Sequence, residues 1–177
     1  MHNHINQILF AATVAVSLVF TACSNPADNV NEAEVSSAKE VSGSPILGKK
    51  FVSTADSKVE FVGSKVTGSH AGGFEKFTAA IHVQDGVLVP NGTSVEIDMD
   101  STWSDSNRLT GHLKNADFFD VPTFPTSTFI TTNIEKGDTG YSVTGNFTLH
   151  GVTKSISFPA DIQVSDAQVK VNAEFFI

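Results

Sequence analysis

Ser155-Ile156-Ser157-Phe158-Pro159-Ala160-Asp161-Ile162-Gln163-Val164 is the stretch whose reading decides the fold. Ile156, Phe158, Ala160, Ile162 and Val164 alternate without a break with polar residues or proline. A period of two gives a strand one dry face and one wet face. Just upstream, Tyr141, Val143, Gly145, Phe147 and Leu149 keep the same period, as do Val59, Phe61 and Gly63, and Val95, Ile97 and Met99. Turn-forming residues separate these runs at Gln84-Asp85-Gly86, Pro90-Asn91-Gly92, Lys136-Gly137-Asp138-Thr139-Gly140 and His150-Gly151. The chain from residue 49 onward is therefore predicted to be all-β, with hairpins joining successive antiparallel strands. Residues 104–117 are the exception: Ser104 or Asp105 can cap a short helix that places Leu109 and Leu113 on one face, as a lid over one end of the sheet. Several strands reach roughly ten residues, about 33 Å. Long antiparallel strands with one apolar face either stack into a sandwich or close into a barrel.

Composition narrows what such a domain encloses. The 177 residues suit one core. Fourteen Phe against one Trp and one Tyr favour apolar burial or an apolar ligand over recognition by polar aromatic tips. Eleven basic residues face nineteen acids, for a net charge of −8, and Arg108 is the single arginine, so nucleic acid is not expected as a partner. One cysteine allows neither an internal disulfide framework nor a cysteine-based zinc finger.

That cysteine follows a leader. Residues 8–22 are apolar or small and uncharged, too short for the roughly 20 residues of a membrane-spanning helix and suited to a signal-peptide core. Phe20-Thr21-Ala22-Cys23-Ser24 resembles the lipobox of bacterial lipoproteins. Residues 1–22 are accordingly expected to be a signal peptide and Cys23 a lipidated anchor to a membrane, with the protein in the bacterial periplasm or cell envelope. Residues 23–48 carry Ser, Asn, Ala and acids, with four acids against Lys39, and read as a disordered tether ahead of a domain at 49–177.

Leu113-Lys114-Asn115-Ala116-Asp117-Phe118-Phe119-Asp120-Val121, followed by Phe124-Pro125-Thr126-Ser127-Thr128-Phe129, resembles the YceI-like family of bacterial periplasmic proteins. Ser57-Lys58-Val59-Glu60-Phe61 resembles that family's first strand. Residues 72–77 resemble its glycine-phenylalanine turn, and residues 141–154 its late hairpin. The resemblance implies an antiparallel, lipocalin-like β-barrel whose elongated apolar channel binds a polyisoprenoid or similar long amphiphile, such as an isoprenoid quinone. Inward alternation and the resemblance together nominate Phe61, Phe77, Ile97, Met99, Trp103, Leu109, Leu113, Phe118, Phe119, Phe129, Phe147 and Phe158 as pocket lining. Trp103, at the strand-to-helix junction, is placed to close one end with its indole N–H toward a polar head group. Lys65 and Lys114 are candidate cations for an anionic head. Val169, Val171, Ala173, Phe175 and Ile177 still alternate where the family's pattern continues with a turn and a closing strand. A barrel missing its last strand, with open edges, is expected.

Catalytic chemistry has little to stand on. His70, His82, His112 and His150 form no closely spaced pair, and Glu96, Asp98 and Asp100 alternate with Val95, Ile97 and Met99 as the wet side of a strand. There is no Gly-x-Ser-x-Gly elbow, phosphate loop or dinucleotide fingerprint. The expected function is sequestration or transport of a hydrophobic lipid, with no catalytic residue, metal or cofactor. Two rivals stand beside it: an envelope interaction module with a filled core, and a lipid-modifying enzyme with polar groups converging inside the barrel.

Overall fold

The computed structural model describes residues 27–65 and 68–177, so the leader and Cys23 lie outside the described residues. The strands are β1 Asn31–Glu32, β2 Glu34–Ser37, β3 Lys49–Val52, β4 Val59–Lys65, β5 Gly68–Phe74, β6 Phe77–Gln84, β7 Val87–Asp98, β8 Thr102–Ser104, β9 Thr126–Lys136, β10 Tyr141–Leu149, β11 Val152–Val164, β12 Val169–Asn172 and β13 Phe175–Phe176. A 3-10 turn, Met99–Ser101, precedes β8, and one helix, α1 Asn107–Leu113, follows it. The main sheet runs β12-β11-β10-β9-β7-β6-β3, with β2 also beside β11. A smaller sheet is ordered β4-β5-β8, and β1 pairs with β13 in parallel, against the expectation of antiparallel pairing throughout. This is a lipocalin-like barrel wall whose sheets, among the described residues, are not closed. At one end the Lys49 ammonium donates to the Asp166 carbonyl, drawing the β3 edge to the β11–β12 turn.

Turn chemistry explains the hairpins. Asp85 and Gly86 take φ of 52° and 78°, and His150 and Gly151 take 51° and 71°, the consecutive positive values that a tight hairpin demands. Pro90-Asn91-Gly92, expected to be a turn, lies inside β7 instead. Ile81 faces Thr93 while Val83 faces Leu88, so the ladder bulges there, and the His82 Nδ1–H donates to the Gly92 carbonyl at 2.8 Å. The helix is shorter than residues 104–117 and is capped by Ser106, whose Oγ accepts the Leu109 N–H at 3.4 Å. Ser104 is bonded to Ser106 and Thr110, and Asp105 to β5, so neither is free to cap. Met99 leaves the strand to open the 3-10 turn, yet it is 1% exposed. The alternating run expected at residues 169–177 breaks at Ala173 and Glu174, which separate β12 from β13.

The apolar rows meet in two clusters. Val83, Leu88, Val143, Ala160 and Ile162 form one with Phe129 and Phe158, and Ile97, Met99 and Val121 form the other with Phe74, Phe77, Phe119 and Leu149.

From β1 onward the segment read as a disordered tether is instead a strap, and residues 23–26 lie outside the described residues. β2 adds to β11, with Val35 opposite Ile156. The Asn146 side chain then accepts the Lys39 N–H at 2.9 Å and donates to the Lys39 carbonyl at 2.6 Å, and Asn91 donates to the Ser42 carbonyl at 3.3 Å. Asn carries one amide donor group and one acceptor, so it can pair with backbone as another strand would. The strap thus passes from β11 over Asn146 of β10 and Asn91 of β7 to β3 at the far edge of the sheet. Its residues 34–48 are exposed, so hydrophobic patterning had nothing to register.

Gly145 marks where the wall is tightest. A Cβ there would lie 2.5 Å from the Phe129 ring and 2.7 Å from the Ile130 carbonyl oxygen, and the backbone cannot swing aside. Gly145→Ala is expected to destabilise the fold by about 1–3 kcal/mol. In urea this lowers the unfolding midpoint at constant m, and an unchanged midpoint would mean that the ring yields freely.

Candidate functional site

An apolar strip of side chains, the trough, runs along the inward face of β9, β10 and β11. β10 pairs with β11 without a bulge, so Val143, Gly145, Phe147 and Leu149 share one face. Val143 belongs to the first cluster and Leu149 to the second, and the six-residue step between them spans roughly 20 Å. Gly145 lets the Phe129 ring lie across β10, and Phe129 and Phe158 sit 5.6 Å apart. Phe175 stacks on Phe158 at 4.1 Å and 14°. Toward the other end Phe61 lies over Gly72 and 5.8 Å from Phe74, which is 6.2 Å from Phe119. Of the twelve phenylalanines among the described residues, none is fully buried; ten are half-buried, and Phe118 and Phe176 are exposed.

The residues nominated from the sequence divide between the clusters instead of lining one channel. Phe77, Ile97, Met99 and Phe119 lie in the second cluster, and Phe129 and Phe158 in the first. Phe61 reaches the second through Phe74, and Phe147 holds the row between the two. Leu113 is buried at the end of α1 and Leu109 half-buried. Phe118 is not brought to the others: it is 47% exposed, with its ring edge-on to His112 at 4.9 Å. Trp103 lines a cavity of about 270 Å3 with Lys58, Val59, Glu60 and Phe74.

A second cavity, about 310 Å3, was not foreseen. Phe51, Val83 and Val164 line it with Lys49, Asp85 and Asp166, at the end where β3 approaches the β11–β12 turn. Lys49 sits 5.0 Å from the Phe51 ring centroid. Lys49-Lys50-Phe51-Val52 is too short to display a period, so only the hydrophobe beside a lysine pair could have flagged it. Of the lysines that were nominated, Lys65 is exposed on β4 and Lys114 is engaged with Asp100 at 3.3 Å.

Two buried hydroxyls of β9 are committed to backbone. Ser127 donates to the Thr148 carbonyl at 2.7 Å, and Thr131 accepts the Thr93 N–H at 3.0 Å and donates to its carbonyl at 3.2 Å. Among the described residues no buried side-chain nitrogen or oxygen lacks a partner, and no three His, Cys, Asp or Glu converge as metal ligands. The acidic stripe separates into local roles, with Asp98 accepting the Asp100 N–H and Glu96 exposed.

The pair of ionisable groups that stands out lies outside the trough. His70 Nδ1 donates to Asp105 at 2.7 Å, and the other Asp105 oxygen accepts the Ala71 N–H at 3.0 Å. The His70 hydrogen bond, and behind it the Ala71 N–H, hold the Asp105 carboxyl below the usual carboxylate range. This clasp staples β5 to the entry of α1. Because the folded pKa is depressed, its contribution is present above the ordinary aspartate range and is lost as pH falls through the lowered value. Acidification is expected to release the Ala71 amide to hydrogen exchange ahead of neighbouring β5 amides. Asp105→Asn should remove that pH dependence, and an Ala71 amide equally protected at low pH in both proteins would contradict it.

The fold has solved counterparts. The crystal structure of BcnA from Burkholderia cenocepacia superposes with a TM-score of 0.54 at 23% identity, covering 58% of this chain and 65% of that one. In sequence, a UPF0312 protein of Pseudomonas putida strain F1 is 36% identical over 74 residues, 40% of this chain and 38% of that protein. A UPF0312 protein of Yersinia pestis strain Pestoides F is 32% identical over 91 residues, 51% of this chain and 47% of the relative. The match thus spans less than half the length of these curated relatives. The YceI-like domain matches residues 51–177, from Phe51 within β3 through β13, and the chain belongs to the YceI-like family.

Proposed function

We propose that this protein binds a long-chain amphiphile of the polyisoprenoid or isoprenoid-quinone type along the trough, sequestering or carrying it at the bacterial cell envelope, where acylated Cys23 anchors it to a membrane. The observation that carries the reading is the state of the phenylalanines. Nine half-buried rings lie in or beside the two clusters while keeping part of their surface accessible, whereas a core that served only stability would cover them. Covering apolar area contributes about 25 cal/mol per Å2, so a flexible chain laid along these rings needs few directional contacts. The action is burial, without bond chemistry. At the cavity beside Phe51, Lys49 offers an N–H donor, but Asp85 and Asp166 line the same space. That balance favours an uncharged, carbonyl-bearing head over a phosphate.

Native mass spectrometry of the protein purified from a bacterial host, followed by organic extraction, tests the reading. A stoichiometric long-chain isoprenoid supports it. A clean apo mass that also refuses added quinones and polyprenyl lipids overturns it in favour of an interaction module. Phe147→Arg, which sets a charge in the middle of the row, is expected to weaken lipid binding by about tenfold or more, roughly 1.4 kcal/mol. Cys23→Ser should shift the protein from the membrane to the soluble fraction and remove the acyl mass.

A further inference from the structure

We propose that the strap turns the anchor into a short leash that holds one particular flank of the barrel, the one carrying β2, β12 and β13, against the surface of a lipid bilayer. The proposal rests on the anchored reading of Cys23 and adds an orientation to it. Were residues 23–48 a free tether, 26 residues would separate the anchor from Lys49, a contour of up to about 90 Å. The backbone is instead held from β1 onward by the β1–β13 pairing, the β2–β11 ladder and the clamp on Lys39. Asn31 is eight residues from Cys23, a reach of at most about 28 Å. That is too short to let the domain tumble freely at the surface, and it begins at one flank.

The flank has the chemistry for such a contact. Val35 on β2, Val152 on β11, Val171 on β12 and Phe176 on β13 are all exposed. The charges among them are of both signs, with Glu32, Glu34, Asp161 and Glu174 against Lys154 and Lys170, and the chain as a whole is acidic. Attraction to anionic lipid therefore does not drive the contact; apolar side chains held close by the leash do. Phe175, between β12 and Phe176, stacks on Phe158 inside the trough, so the same flank is where the trough comes nearest the bilayer.

The test uses the processed chain beginning at Cys23, which contains every described residue. Its single cysteine is coupled to maleimide-headgroup lipid in phosphatidylcholine vesicles that carry a headgroup nitroxide. In a Trp103→Phe background, one reporter is placed by Val171→Trp on β12 and another by Thr78→Trp on β6, four strands away across the sheet from β11. Quenching several-fold stronger at position 171 than at position 78 is expected. Equal quenching, or stronger quenching at 78, overturns the proposal. Ala33→Pro, which removes the Ala33 N–H bonded to the Phe176 carbonyl, combined with Ser36→Pro and Asn146→Ala, frees the strap from β13, β11 and β10 and should erase the contrast; a contrast that persists in the folded, strap-freed protein also overturns it. If that triple variant does not fold, the comparison of the two reporters still decides. Chemical coupling bypasses cellular acylation, so failure here is distinct from failure of the anchored reading, which fractionation of Cys23→Ser reports.

Discussion

Everything on the inner face depends on the register between β10 and β11. Nine pairs, from Tyr141 opposite Ala160 to Leu149 opposite Val152, run without a bulge. Side chains alternate between faces, so a slip of β11 by one residue would send Ile156, Phe158, Ala160 and Ile162 to the solvent side together. The register is pinned at its origin by His150 and Gly151, both in the left-handed region. Gly151 is doubly constrained, since a Cβ there would meet the Phe124 ring at 2.5 Å. Phe124 comes from the loop after α1, so that loop is docked by the same turn that sets the strands.

The outer face is held differently. Hydrophobic burial does not hold the strap, whose residues from 34 onward are exposed; paired backbone hydrogen bonds and two asparagine side chains do. Such bonds contribute roughly 1 kcal/mol each, because water offers nearly equivalent partners. The strap is thus the part of the structure most easily opened, while the trough beneath it is fixed by packing. A covering that is weak per contact yet spans β11 to β3 can fix the exit point of the chain without stiffening the wall.

What could be read from the sequence follows the same division. β10 and β11 were legible because each buries one face and turns on a glycine. So was the trough composition, since half-buried strands show their alternation openly. The strap was not, because asparagine clamps bond to backbone, which has no sequence signature. Met99 continued the alternation of β7 yet starts a 3-10 turn, where Asp98 satisfies the Asp100 N–H. Among the nominated site residues Phe118 and Phe119 were inseparable on paper. The turns after α1 separate them, with the Phe119 N–H on the Leu113 carbonyl and the Phe118 N–H on Asn115, so that one ring enters a cluster and its neighbour faces His112. Phe51 escaped because a four-residue strand cannot reveal its period.

The inner face explains why the proposed ligand would be chosen by shape more than by chemistry. Ser127 and Thr131 are almost wholly buried, and their hydroxyls bond the backbone of neighbouring strands. A guest on this face meets rings and methyls along most of the row, with the exposed Lys154 opposite Phe147, and the donor that lines a cavity at the end is Lys49, already shared with the Asp166 carbonyl. Leaving a buried polar group unpaired costs about 1–3 kcal/mol, and a site with none to leave unpaired cannot reject a ligand on that ground. Discrimination must then come from length against the roughly 20 Å row and from width against Phe129, whose ring Gly145 alone makes room for. Tail length and branching, more than head group, are the properties such a wall can measure.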